Sequence, residues 1–294
     1  CCSEKSPRPA RTAAPRRSAA MPEFSGHLSL RAATRTHGRT ILAAQSFRAP
    51  YHLSKPYWDP DTLTLLAQVV NPTAGILSGD QLASDISVDA GAALLVTTPS
   101  ASRVFKMKDG TATCRQQFHV AAGAWLEVMP EPLVPHRGCS YRQTTTIAVA
   151  AGGELFFADL LMPGRVAHGE AWEWHSLCLE TTVRLAGELI LRDRFHHTGD
   201  DLRALAALAG SGPGACFGNA VLIAHERPTD AQWRTSLDTL HGDGLWIGVS
   251  ALRRGGWSIK WVARDGIRLR QGLREVRKHL ARYFPHLACD PRKL

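Results

Sequence analysis

Histidine, cysteine and carboxylate side chains are the groups in this sequence best suited to hold a metal ion, and their spacing argues against a tight site. His196 and His197 are adjacent, and His175 lies three residues before Cys178. On a strand both spacings send the side chains to opposite faces. The cysteines Cys114, Cys139, Cys178, Cys216 and Cys289 are scattered with no CxxC pair. Neither a structural zinc site nor a disulfide framework is therefore expected, and these five read as reduced thiols. No P-loop, GxSxG elbow, HExxH pair or EF-hand loop occurs, so the usual signatures of phosphoryl transfer, acyl transfer and metal-assisted hydrolysis are missing.

What stands out instead is a set of oxygen-bearing, turn-rich segments. Asn71-Pro72-Thr73-Ala74-Gly75-Ile76-Leu77-Ser78-Gly79-Asp80 follows an apolar run and ends on an acid. Thr97-Thr98-Pro99-Ser100-Ala101-Ser102-Arg103-Val104-Phe105 is dense in hydroxyls. Leu126-Glu127-Val128-Met129-Pro130-Glu131-Pro132 carries two acids, and residues 159–170 open on Asp159 and close on Gly164-Arg165-Val166-Ala167-His168-Gly169-Glu170. Hydroxyls and carboxylates at turns are most simply caps or ion-pair partners, Glu170 with Arg165 and Asp193 with Arg192 or Arg194 among them.

The elements that must position these segments are mostly strands. Over residues 65–195 short β-type runs alternate with small-residue turns, and four of the turns resemble one another around Gly91, Gly123, Gly152 and Gly187, spaced 32, 29 and 35 residues apart. Each has a strand-like run on both sides, Ile86-Ser87-Val88 and Leu94-Leu95-Val96-Thr97 for example. Such strand-turn-strand units of about 30 residues stack, since no unit buries its apolar face alone. The expectation is a mainly β fold, β-helical or a layered sandwich, over chance hairpins in an ordinary sandwich. About two α-helices accompany it. One is C-terminal, where Leu269, Leu273, Val276, Leu280 and Phe284 form an apolar stripe on a basic helix that Pro285 ends. The other candidate, residues 201–209, reads as a short helix or a loop.

In this order and spacing the four segments resemble the UreD (UreH) family of urease accessory proteins over about residues 25–284. That family's pattern runs NPPGG-hydrophobic-x-GGD, then a TTQ or TTP strand end before small residues, a base and an aromatic, then GA-x-LE-x-hydrophobic-P, then an Asp-bearing loop ending GR-x-A-x-GE. Thr73, Ala74 and Ser78 depart from it. The resemblance implies a largely β, helically stacked scaffold that performs no catalysis of its own. It implies binding to apo-urease subunits and to UreF, and through UreF to the GTPase UreG. It also implies a polar tunnel that conducts nickel, so Ni²⁺ is expected only in transit and no cofactor is held tightly. The candidates for the nickel path are Asp80, Ser102, Asp159, Glu170 and Asp193; Arg270, Arg274, Arg277 and Lys278 on the C-terminal helix are candidates for partner docking, against a solvated face as the plainer reading.

Composition narrows the alternatives. The net charge of +9 divides into +4 over residues 1–20, +6 over 267–294 and −1 between them, which is not the continuous basic surface of a nucleic-acid domain. Unbroken apolar runs, such as residues 204–209, fall far short of the roughly 18 residues of a membrane span. Residues 1–20 are rich in Pro, Ser, Ala and Arg without an apolar stretch; they are expected to be a flexible or non-native extension ahead of a single domain over 21–294, and the location defaults to the cytoplasm. A competing function is an all-β carbohydrate-binding module, for which the eight tryptophans supply stacking surfaces, Trp172 and Trp174 foremost as a same-face pair on a strand.

Overall fold

The computed structural model describes residues 25–35, 38–208, 212–224 and 230–291. The expected extension over residues 1–20 and its boundary at residue 21 lie outside the described residues.

Three rungs form the repeating part. β6 (Gln81–Val88) turns at Gly91 into β7 (Ala93–Thr97); β9 (Ala112–Val120) turns at Gly123 into β10 (Trp125–Met129); β12 (Ser140–Val149) turns at Gly152 into β13 (Glu154–Leu161). These are not hairpins. Each corner carries the chain from one sheet to the facing one, so β6, β9 and β12 pair in parallel in the first sheet while β7, β10 and β13 pair in parallel in the second. The corners stack as well: the Gly91 N–H donates to the Gly123 carbonyl (3.2 Å) and the Gly123 N–H to that of Gly152 (2.9 Å). Here the stacked solenoid, not a sandwich of hairpins, is what forms.

Earlier and later segments extend this stack. β1 (Ser25–Thr34) lies parallel to β6 and carries β2 (Thr40–Arg48) on its other side; β5 (Thr64–Val70) lies parallel to β7, flanked by β3 (His52–Leu53) and β4 (Tyr57–Asp59). Past the rungs, β14 (Ser176–Leu185) continues the first sheet, and the fourth of the similar turns is a true hairpin into antiparallel β15 (Glu188–His196). Ala186 and Gly187 take φ of +50° and +83° there, the left-handed pair a two-residue hairpin needs. The second sheet closes with antiparallel β16 (Cys216–Ile223), β18 (Trp257–Ala263) and β17 (Leu245–Ala251). Short strands β8 (Ser102–Val104) and β11 (Leu133–Pro135) pair with each other among the connections that return from the second sheet to the first.

The burial patterns follow from these layers. First-sheet strands face the core on one side only and alternate, as in β6 with Leu82, Ile86 and Val88 inward. The central second-sheet strands are covered on both faces, so β7 and β10 are buried at every position. Their outer cover is α3 (Gly266–Leu280), whose Leu269, Leu273, Val276 and Leu280 join one core with Trp257, Ile259 and Trp261 of β18. Asp265 caps the helix by accepting from the Arg268 N–H at 2.7 Å. The helix stops at Leu280, and Pro285 starts a 3-10 turn that keeps Phe284 and Leu287 buried.

Residues 199–208 are helical, as α1 (Gly199–Leu208), which decides between the two readings of that segment. A third helix, α2 (Asp230–Asp238), was not expected. Its signal is only Trp233 and Leu237, one turn apart and both fully buried.

The corner glycines allow a direct check. Gly123 sits at φ +66°, and a Cβ there meets nothing within 4 Å, so Gly123→Ala costs backbone strain alone, about 1–2 kcal/mol. Urea unfolding should show the corresponding fall in midpoint at constant slope; an unchanged midpoint would contradict the left-handed corner.

Candidate functional site

In-register stacking places equivalent residues of successive rungs side by side. The pairings Leu28↔Ser84, Ser84↔Gln116, Gln116↔Thr145, Thr145↔Thr181 and Thr181↔Asp193 trace one row across the inner face of the first sheet. After Leu28 every member is polar. Two residues further along each strand the row is apolar instead: Leu30, Ile86, Phe118, Ile147 and Val183. From Ser84 to Thr181 the polar row recurs every 32, 29 and 36 residues, almost the spacing of the glycine corners. The sequence reading missed it because Ser, Gln and Thr are unremarkable one at a time; the repeat, applied to positions other than glycine, would have exposed it.

Facing this row, the second sheet presents Asp159, Asn219 and Lys260, aligned across β13, β16 and β18. A cavity of about 860 Å³ separates the two faces. Its walls draw on β1, β6, β9, β12, β14 and β15 in the first sheet and on β5 through β17 in the second. Six strands at about 4.8 Å spacing give a passage about 24 Å long, running along the stack between the sheets. One end is bordered by the loops around Thr73 and Ser100, both exposed, and the other by β15, α1 and β18, where Leu205 is exposed.

Several of the polar groups are tied to one another. Thr145, fully buried behind the wall, donates to Gln116 Oε1 at 3.0 Å and fixes that amide. The Tyr141 hydroxyl donates to Gln143 Oε1 at 3.0 Å. Burial raises the Cys114 thiol above its ordinary value, so it lines the passage as a thiol and offers no thiolate trap. Asp159 is pushed up to about 7, first by burial and then by the negative charge of Asp193. Its carboxylate is thus poised between charged and neutral near physiological pH. Among the described residues no three His, Cys, Asp or Glu side chains converge.

The five candidates for the nickel path separate into two groups. Ser102, Asp159 and Asp193 line the passage. Asp80 does not: it closes its own turn, its Oδ2 accepting from the Leu77 N–H at 2.8 Å, while burial raises its carboxyl. Glu170 is held by Arg165 through two bonds, Nε to Oε2 at 2.9 Å and Nη2 to Oε1 at 2.5 Å, and that guanidinium lowers its carboxyl. Both follow the plainer reading of a turn acid. Asp193 departs from it: Arg192 and Arg194 turn to Glu180, and Asp193 pairs across the sheets with Lys260 at 2.6 Å.

The helix candidates also divide. Arg277 is a correction. It is buried and forked on the fully buried Glu127, Nε to Oε1 at 2.5 Å and Nη2 to Oε2 at 3.0 Å, because its side of α3 packs on β10 where the apolar stripe also lies. It offers no docking surface. Arg270 is tied to Glu131 at 2.6 Å beside the loop end of the passage, whereas Arg274 and Lys278 are exposed. Trp172 and Trp174 are likewise not a sugar platform. They lie in the loop before β14, both buried, packed edge to face at 5.6 Å with their ring nitrogens bonded to the carbonyls of Pro213 and His197.

Fold and cavity together define a stacked β scaffold that encloses a passage with one polar row along its first-sheet wall and an acid on the wall opposite. The four oxygen-rich segments are one feature of that scaffold seen four times: each takes in the end of a second-sheet strand, β5, β7, β10 or β13, or the connection that leaves it, and they follow one another along one side of the stack. Comparison with known proteins gives the particular family. The model of the UreD urease accessory protein family matches residues 25–293, and the chain belongs to that family. It is 62% identical to the urease accessory protein UreD of Opitutus terrae over 272 residues, which is 92% of this chain and all of that protein. With the UreD of Deinococcus radiodurans it shares 33% identity over 260 residues, 87% of this chain and 90% of the other. With that of Yersinia enterocolitica it shares 42% over 146 residues, 49% of this chain and 45% of the other. It is a urease accessory protein.

Proposed function

We propose that the protein is a urease maturation scaffold that binds apo-urease subunits and UreF, engages UreG through UreF, and lends nickel a route to the urease active site without turning over a substrate itself. The observation that carries this reading is the polar row from Ser84 to Asp193 facing Asp159 across the passage. Neutral hydroxyl and amide oxygens replace part of an ion's hydration shell, and a few carboxylates favour the cation without the thiolate or multi-histidine ligation that would stop its movement. Arg274 and Lys278, exposed on α3, supply a basic face for an acidic partner surface. The cytoplasm is the compartment proposed for it; among the described residues no helix is long and apolar enough to cross a membrane.

The test is to co-express the chain with its cognate urease subunits, UreF and UreG, and with the same set lacking it. Pull-down through a urease subunit should lose UreF and UreG when the chain is absent, and urea hydrolysis should fall to the level of unactivated apo-urease. Full activation without the chain would overturn the proposal.

A further inference from the structure

Lys260 stands where the passage ends. It projects from the inner face of β18, between Ser258 and Val262, while its strand neighbours Ile259 and Trp261 point to the α3 side. In the cross-strand row it follows Asp159 and Asn219, two strands from the Asp159 carboxylate. Its ammonium does not stay with its own sheet; it reaches over the gap to Asp193 of β15, the last strand of the first sheet, at 2.6 Å. Arg194, also at this end, lies 4.0 Å from Glu180, and Arg192 bonds that same carboxylate.

We propose that Lys260 is a tethered cation that shuts the β15–β18 end of the passage, and that a divalent cation reaches Asp193 only by displacing its ammonium. The inference rests on the passage being a cation route. An ammonium in contact with a carboxylate offsets much of its field, so a cation arriving from the Asp159 side is drawn far less to the pair than to a bare acid. The closure is easily reversed. The Lys260 and Asp193 side chains are 54% and 32% exposed, and ion pairs of that exposure are weak, so the long lysine stem can carry its charge out to solvent. A doubly charged ion gains more from Asp193 than the single charge it replaces, whereas a monovalent ion gains nothing by the exchange. Lys260 thereby sets the charge of the cargo that leaves and closes again behind it.

The experiment uses the complete accessory complex with apo-urease and Ni²⁺ as the probe, comparing wild type with Lys260→Met, Lys260→Arg and Asp159→Asn. Two readouts are taken: the nickel concentration giving half-maximal activation, and the ⁶³Ni retained by the complex without urease after gel filtration. Lys260→Met should lower the half-activating concentration at least threefold and raise retained nickel, while Lys260→Arg, which keeps the charge and the pair, should match wild type. Thermal unfolding checks each variant, and Lys260→Gln replaces the Met variant if that one is unstable. If the neutral variants match wild type in both readouts while Asp159→Asn still slows activation, the closure is wrong and the passage stands. If neither position alters activation, both fall. Loss of activation in a folded neutral variant also overturns the closure, because it makes the ammonium a requirement and not a barrier.

Discussion

Arg277→Met should destabilise the folded chain by about 3–5 kcal/mol, which for a domain of this size lowers the melting temperature by about 10 °C. Burial works against the guanidinium charge, and the Glu127 carboxylate more than offsets it, leaving Arg277 above its ordinary value. Its Nη2 also donates to the Cys289 carbonyl at 2.5 Å, so one side chain joins a rung of the solenoid, α3 and the C-terminal segment. Removing it withdraws that fork of donors from a carboxylate that is fully buried. The cost arises from the charge left behind and not from any large net worth of the pair, since a buried pair repays little beyond its own desolvation. The double variant Glu127→Gln/Arg277→Met should accordingly regain most of the loss. Thermal unfolding followed by circular dichroism decides it. A single variant within about 1 kcal/mol of wild type, or a double variant as unstable as the single, would show that the fork does not hold the helix to the sheet.

Asp159→Asn should do two opposite things. In the folded chain the carboxyl titrates at about 7, against 3.8 for an unperturbed one. Below about pH 4 both folded and unfolded forms hold the proton, and the residue has no effect on stability. Between those values the unfolded chain has released it and the folded chain has not, so wild-type stability declines as pH rises, and the penalty is complete above about 7. Asparagine cannot ionise. The variant should match wild type near pH 4 and exceed it by roughly 2–4 kcal/mol at pH 8. A stability difference that does not change with pH would refute the buried-carboxyl assignment. Function moves the other way. The amide keeps the shape of the wall and removes the charge facing the passage, so urease activation at limiting nickel should slow by at least about tenfold, equivalent to losing about 1.4 kcal/mol of attraction for the cation. A protein more stable and less able to activate urease would place Asp159 among residues kept for their chemistry at a cost in folding.

How far the sequence could be read differs from element to element. The rungs were legible because glycine is demanded at a left-handed corner and β-type runs flank it, and that signal repeats. The sheet-to-sheet crossing was not, since a corner and a hairpin turn use similar residues; only Gly187, where Ala186 shares the positive φ, makes a hairpin. Burial of the α3 stripe was legible from its periodicity. The fate of the arginines on the same helix was not, because Arg277 and Arg274 differ only in what lies opposite them. Glu127 belongs to one of the four marked segments, yet its partner is 150 residues away.

By itself, then, the sequence determined the mainly β repeat, the corner positions, the C-terminal amphipathic helix and the resemblance to UreD, all of which depend on local conformation or on ordered motifs. Tertiary structure alone decided which oxygens share a passage. Period-two alternation states that Ser84, Gln116, Thr181 and Asp193 face inward, but their alignment into one row depends on the register between strands about 30 residues apart. Whether an acid becomes a cap, an ion-pair partner or a wall of the passage depends on the element packed against it. Asp80 met the N–H of Leu77, Glu170 met Arg165, and Asp159 met a cavity, because a carboxylate's role is set by the charge and solvent that folding brings to it.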